Sequence, residues 1–350
     1  MRRHAHSDRL PRLLVRTHAA DGAALCLTLV RPPGTRLAQA PRASVLLVHG
    51  FGQNRYLFDM PGRSFATYLA HGGFDAYVLE LRGHGLSRQR GGPYATSVAD
   101  YSELDVPAAV AALRARGVDD LVLCGHSMGG VACMTAPAAL LRTVRAVATI
   151  ASPTHLGRGA EGLRTFARLG SALIRAAGGT RWGRGFDTGL LAGVFRRALP
   201  LFNTRGPWPL HIWVPGQIED DILHGYLSRA FEAEPKGVVF DFSRWLHKRS
   251  FDRTDGGESF WSRLRTMPAP ILFVVGAQDR IVPPASIEPG YALTGGPHKT
   301  WMLFGEDHHQ GRYGHTDLLL GRHAPTEVWP RILAWLRTVG PARSGQRQPP

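Results

Sequence analysis

The sequence predicts an α/β protein: a mostly parallel sheet flanked by helices on both faces, with a helical cap inserted between two of its strands. Three observations predict it. Strand-length apolar runs alternate with helically spaced segments from Ser44 to Ser152, the pattern of βα units in a parallel sheet. The alternation stops after Pro153 and resumes at Ala269, so the middle block reads as an insertion into one sheet. No internal repeat and no low-complexity linker divides the chain into independent domains.

The expected boundaries follow. Residues 1–12 and 341–350, polar and rich in Arg and Pro, read as flexible tails; 13–152 and 267–340 form the core; 153–266 form the cap. In "LLVRTHAADGAALCLTLVRPPG", two apolar runs flank Asp21-Gly22, a hairpin signal that places an antiparallel pair at a sheet edge. Strand "ASVLLVHG", helix "SFATYLAHG" and strand "FDAYVLELRGHG" then imply a parallel pair with a right-handed crossover. A helix over Tyr101–Arg116, the strand Leu121–Gly125, a helix beginning at Ser127 and the strand "VRAVATIAS" continue the rhythm. In the insertion, "LRTFARLGSALIRAA", "GLLAGVFRRALPLF" and "FSRWLHKRSF" carry the spacing of short amphipathic helices. "APILFVVGAQDRIVP" and "KTWMLFG" restore the sheet, and "APTEVWPRILAWLRTV" closes it as a helix whose start Pro330 blurs.

Hydrophobic residues make up 44% and charged residues 20% of the 350, the balance of a globular chain. No apolar run reaches the roughly 18 residues of a membrane span. The opening "MRRHAHSDRLPRLLVRTHAA" lacks the apolar stretch of a secretory signal, so a cytoplasmic location is expected. Cys26, Cys124 and Cys133 follow no metal-ligand spacing and read as reduced core residues. A net charge of +15 invites a nucleic-acid partner, yet only Lys236, Lys248 and Lys299 among the 42 basic residues are lysines. Arginine spread through an Ala-, Gly- and Pro-rich chain looks like a coding bias rather than one basic face. With no nucleic-acid motif beside it, no nucleic-acid partner is expected.

One hydroxyl stands out. In "LVLCGHSMGG", Ser127 follows a strand and starts a helix, with Gly125 two before it and Gly129 two after. A nucleophile at such a turn is held in a strained conformation above the sheet, and glycines on either side avoid collisions with neighbouring backbone. An ordinary helix N-cap serine is the competing explanation.

"LLVHGFGQN", "GHSMGG", "VVGAQDRIVP" and "GHTDLLLG" occur in an order and spacing that resembles α/β-hydrolase fold enzymes, over about residues 22–340 outside the cap. The resemblance implies a triad in the order serine, acid, histidine and an oxyanion hole of two backbone N–H groups. It assigns Ser127 as nucleophile, Phe51 of "HGFG" and Met128 as oxyanion donors, and Asp279, after "ILFVVG", as the acid. Three histidines within eight residues of one another, His308, His309 and His315, follow the last strand. His315 is chosen because "GHTDLLLG" before "APTEVWPRILAWL" is similar to the histidine loop of lipase-like and polyester-synthase-like members, with Asp317 supporting the loop. His308 and His309 stay open as alternatives. His49 and the "RGHGLS" turn containing His84 read as structural.

These residues imply acyl transfer to water, and so a carboxylic ester hydrolase acting on a small-molecule ester. The Phe and Trp residues of the cap, from Phe166 to Trp261, point to an apolar acyl or aromatic substrate, although gluing short helices to the sheet would use them equally well. No metal and no cofactor are expected, since the histidines do not show the H-E-x-x-H arrangement and "GHGLS" and "GAQDR" lack the G-x-G-x-x-G fingerprint. A serine at the elbow argues against dehalogenases and epoxide hydrolases, which carry a carboxylate there, and against polyester synthases, which carry cysteine. An acyltransferase on the same triad and a non-catalytic ligand-binding protein of the same fold remain alternatives; oligomeric state is left open.

Overall fold

Eight apolar runs pair into one sheet. In the computed structural model, which describes residues 10–34, 43–156, 185–199, 203, 211–248, 251–253, 256–296 and 298–339, they are β1 (Arg12–His18), β2 (Ala24–Val30), β3 (Ser44–Val48), β4 (Asp75–Glu80), β5 (Leu121–His126), β6 (Ala146–Ile150), β7 (Ile271–Gly276) and β8 (Lys299–Phe304). Their spatial order is β1-β2-β4-β3-β5-β6-β7-β8. β1 pairs antiparallel with β2, and β2 antiparallel with β4, while β4, β3, β5, β6, β7 and β8 run parallel. The hairpin at Asp21-Gly22 therefore does make the sheet edge. β1 alternates exposed and covered positions, whereas β2 is buried throughout, as one solvated edge strand requires.

Burial on both faces explains the nearly continuous apolar runs of the central strands. In β3, Leu46 and Val48 join the core on one face with Val106, Leu113 and Val131; Val45 and Leu47 join the other with Phe65, Leu69 and Ile332. Helices Val106–Arg114 and Met128–Met134 thus cover the first face, and Phe65–His71 and Ala324–Thr338 the second. The predicted helix from Tyr101 opens as a π turn, Tyr101–Asp105, before becoming α-helical. The last helix starts at Ala324 and runs through Pro330, which forfeits one backbone hydrogen bond.

Between β6 and β7 the described residues form helices Thr188–Arg197, Asp220–Arg229, Lys236–Lys248 and Phe260–Arg265. Helix Asp220–Arg229 buries Ile222, Leu223 and Tyr226 against the second core, and Lys236–Lys248 buries Val238, Trp245 and Leu246 against the first. The sequence shows no strand in this block, yet Gly185–Asp187 pairs antiparallel with Ala233–Pro235. The three thiols are buried and unlinked, and burial pushes Cys124 up to about 12. No helix of the described residues is long and apolar enough to cross a membrane. Most of both predicted tails, residues 1–9 and 340–350, lies outside the described residues.

Candidate active site

Ser127 joins β5 to helix Met128–Met134 at φ 52° and ψ −120°, a conformation that costs a non-glycine residue about 1–3 kcal/mol. Its backbone is pinned on both sides. The Ser127 N–H donates to Ile150 O (2.9 Å), and its carbonyl accepts from the N–H groups of Gly130 and Val131 (3.0 and 3.1 Å). The hydroxyl makes no capping bond, so the N-cap explanation fails. The glycines are dictated by contact: a Cβ would sit 2.3 Å from Gly129 C at Gly125, 2.1 Å from Val48 O at Gly129 and 1.9 Å from Ser152 Oγ at Gly130. Gly129→Ala is expected to destabilise the fold by about 1–3 kcal/mol, because the atoms it meets are carbonyl oxygens fixed in the sheet. Urea denaturation checks this; an unchanged midpoint would contradict the packing described.

Asp279 stands in the turn after β7, its side chain inaccessible to solvent. Oδ1 accepts from the N–H groups of Ile281 and Val282, both at 2.8 Å, and Oδ2 lies 2.8 Å from His315 Nδ1. A carboxylate partner requires the proton on Nδ1, which leaves the lone pair on Nε2. His126 ties this pair to the serine: its Nε2 donates to His315 O (3.0 Å), and the two rings pack with centroids 4.7 Å apart. Burial holds the His126 pKa well below the ordinary histidine value, so the ring is neutral. His126 adjoins Ser127 in sequence, so the His315 ring packs on the residue before the serine.

Asp317 supports the histidine loop through Oδ2, which accepts from Gly314 N–H (3.0 Å) and Val214 N–H (2.9 Å). Burial pushes its carboxyl up to about 8. His308 is exposed, and its ring lies on that of His309 (3.9 Å) in the loop after β8. Among the described residues Asp279 bonds to His315 and to neither of these.

The "HGFG" loop approaches the elbow closely: a Cβ on Gly50 would lie 3.1 Å from Ser127 Cβ. Gly50 N–H donates to Gln53 Oε1 (3.1 Å) and Gly52 N–H to Glu234 Oε2 (2.5 Å). Among the described residues the N–H groups of Phe51 and Met128 have no protein acceptor, so both are available to a ligand oxygen. His49 is structural: Nε2 accepts from Leu81 N–H (3.1 Å), Nδ1 donates to Gly50 O (3.0 Å), and burial lowers its pKa to about 3.

The sequence profile of the alpha/beta hydrolase family matches residues 45–328. The chain belongs to that family. Solved structures similar to this hydrolase include an esterase from Thermogutta terrifontis (19% identity, TM-score 0.58, covering 94% of this chain and 99% of that one). Others are an esterase from Exiguobacterium antarcticum (15%, 0.60, 93% and 100%) and a monoacylglycerol lipase from Paleococcus ferrophilus (17%, 0.58, 90% and 99%). At these identities they show a shared fold. A search of curated proteins finds no significant match.

The aromatics of the hydrolase's insertion divide between two uses. Trp245, Phe251 and Phe260 are buried against one another, with ring centroids 4.9–5.9 Å apart, and serve as core. Phe242 is half-buried and packs edge-on against Phe51 (5.3 Å), beside the free N–H. Phe166, Trp182, Phe202 and Trp208 lie outside the described residues.

Proposed function

We propose that this α/β hydrolase cleaves carboxylic esters with an apolar acyl or aromatic moiety, using Ser127 as nucleophile, His315 as base and acid, and Asp279 to orient the imidazole. One observation carries the reading: a hydrogen bond of 2.8 Å between His315 and a buried Asp279, with the His315 ring packed on His126, the neighbour of a serine strained at φ 52°. In this reading His315 Nε2 takes the proton of Ser127 Oγ as the Oγ–C bond forms. The N–H groups of Phe51 and Met128 donate to the developing oxyanion, each worth about a hundredfold to a thousandfold in rate. His315 then gives its proton to the departing alcohol as the C–O bond breaks. Water, deprotonated by the same imidazole, attacks the acyl-enzyme and releases the acid and Ser127. Residues 153–266 act as the cap, and Phe242 on Phe51 is the aromatic that supports an apolar acyl chain.

The esterases and the monoacylglycerol lipase that share the fold are consistent with this chemistry. A fluorophosphonate should label one serine per chain, mapped to Ser127 by peptide mass, and p-nitrophenyl esters of medium chain length should show turnover. Folded protein that takes no label and turns over no ester would remove the proposal.

A further inference from the structure

The insertion grips the oxyanion loop on the C-terminal side of Phe51. Thr188 Oγ1 (2.9 Å) and Glu232 N–H (2.8 Å) donate to Gly52 O, while Gln53 Nε2 donates to Tyr226 OH (2.5 Å). Asn54 Nδ2 donates to Arg229 O (2.8 Å), and Gln53 forms a bridge with Phe231. Gly52 has φ +61°, and a Cβ there would lie 2.5 Å from Thr188 Cγ2, so this contact leaves room for glycine alone. At the centre is Glu234, wholly buried. Its Oε2 accepts from Gly52 N–H (2.5 Å) and its Oε1 from the Tyr101 hydroxyl (2.7 Å).

Beneath Glu234 lies His84, also wholly buried, from the "RGHGLS" turn. Nδ1–H donates to Arg82 O (3.0 Å), and Nε2 stands 3.3 Å from Glu234 Oε2, a charge contact without the alignment of a hydrogen bond. Burial alone would lower the His84 pKa; the carboxylates of Glu234 and Glu232 and the bond to Arg82 O together outweigh it, and the value is raised. The other groups facing this pair are the neutral His49 ring (5.0 Å), the Tyr101 ring (6.3 Å) and the nearby Glu232 charge.

The N–H groups of Gly50, Gly52 and Gln53 are bonded within the protein, and the Phe51 N–H between them has no acceptor among the described residues. We propose that Glu234 is a positioning residue for the oxyanion donor at Phe51: its reach to Gly52 N–H sets where the Phe51 N–H points. The insertion then supports the core at this edge, because a carboxylate of the insertion holds the loop that carries the Phe51 N–H. This rests on the proposed role of Phe51 in ester hydrolysis.

Reach and charge are separable by two variants of the full chain. Glu234→Asp keeps the charge opposite His84 but withdraws the carboxylate from Gly52. Glu234→Gln keeps the reach, with its oxygen on Gly52 N–H and its amide toward the Tyr101 oxygen, but removes the charge. Active sites are counted by fluorophosphonate labelling run to completion. Per labelled site, Glu234→Asp is expected to lose kcat by about tenfold to a hundredfold with KM near that of the wild type, as misplacement of about 1 Å would produce. Glu234→Gln should keep kcat within about threefold despite a lower Tm, since a neutral acceptor still holds the loop. A purely structural ion pair predicts the reverse order, and that result, or equal kcat per site in both variants, overturns the assignment of Glu234. Failure of the wild type to label or turn over would instead remove the role of Phe51, and this inference with it.

Discussion

Ser127→Ala is expected to lower kcat for p-nitrophenyl esters by about ten-thousandfold to a millionfold, the scale on which loss of a triad nucleophile operates. The substitution deletes one oxygen and little else. The bonds from Ser127 N–H to Ile150 O and from Gly130 and Val131 N–H to Ser127 O belong to the backbone, and alanine retains them. The strain at φ 52° persists as well, because alanine has the same Cβ. Stability should therefore stay within about 0.5 kcal/mol of the wild type, as for substitutions that disturb no packing. The variant keeps the free N–H groups of Phe51 and Met128, so it should still bind ester and KM should move little. Steady-state kinetics beside urea denaturation decide the matter: turnover within tenfold of wild type in folded material would mean that the nucleophile is elsewhere.

The elbow was legible in the sequence because its glycines answer to sterics within a short stretch. Gly125 and Gly129 sit where any Cβ would strike backbone, and such a constraint is written into the chain itself. The alternation of strands and helices was legible for a similar reason, since buried parallel strands must be apolar on both faces. Asp279 and His315 lie 36 residues apart, and neither residue type is informative alone. Order and motif likeness singled them out, and the 2.8 Å contact brings them together.

The rest was not legible. The ribbon of Gly185–Asp187 with Ala233–Pro235 has three residues a side, too few for any periodicity. Glu234 meets Gly52 across 182 positions, and nothing local distinguishes it from a surface glutamate. His126 has a sequence signal, a histidine directly before the serine, but its bond to the His315 carbonyl depends on tertiary placement. The aromatics of the insertion differ in the neighbours they meet, Trp245 packing among Phe251 and Phe260 and Phe242 between Trp245 and Phe51; composition is the same for either.

His315→Ala should lose about a thousandfold or more in kcat, whereas His308→Ala and His309→Ala should each retain activity to within about threefold. Of the three, only the His315 ring bonds to Asp279, at Nδ1, and packs on the ring of His126, the residue before Ser127; the other two rings lie on each other in a partly exposed loop. Asp279→Asn tests the second half of the pair. The amide oxygen can accept from the Ile281 and Val282 N–H groups as Oδ1 does now, but its NH2 then faces His315 Nδ1 and forces the proton onto Nε2, the wrong tautomer for a base. A loss of about ten-thousandfold is expected, as tautomer inversion produces elsewhere. In the proposed mechanism base and orienter act as one unit, so the double variant His315→Ala, Asp279→Asn should be no slower than the more impaired single variant. Multiplicative losses, or a deficit in His309→Ala matching that of His315→Ala, would show that the two residues do not share one proton-transfer step.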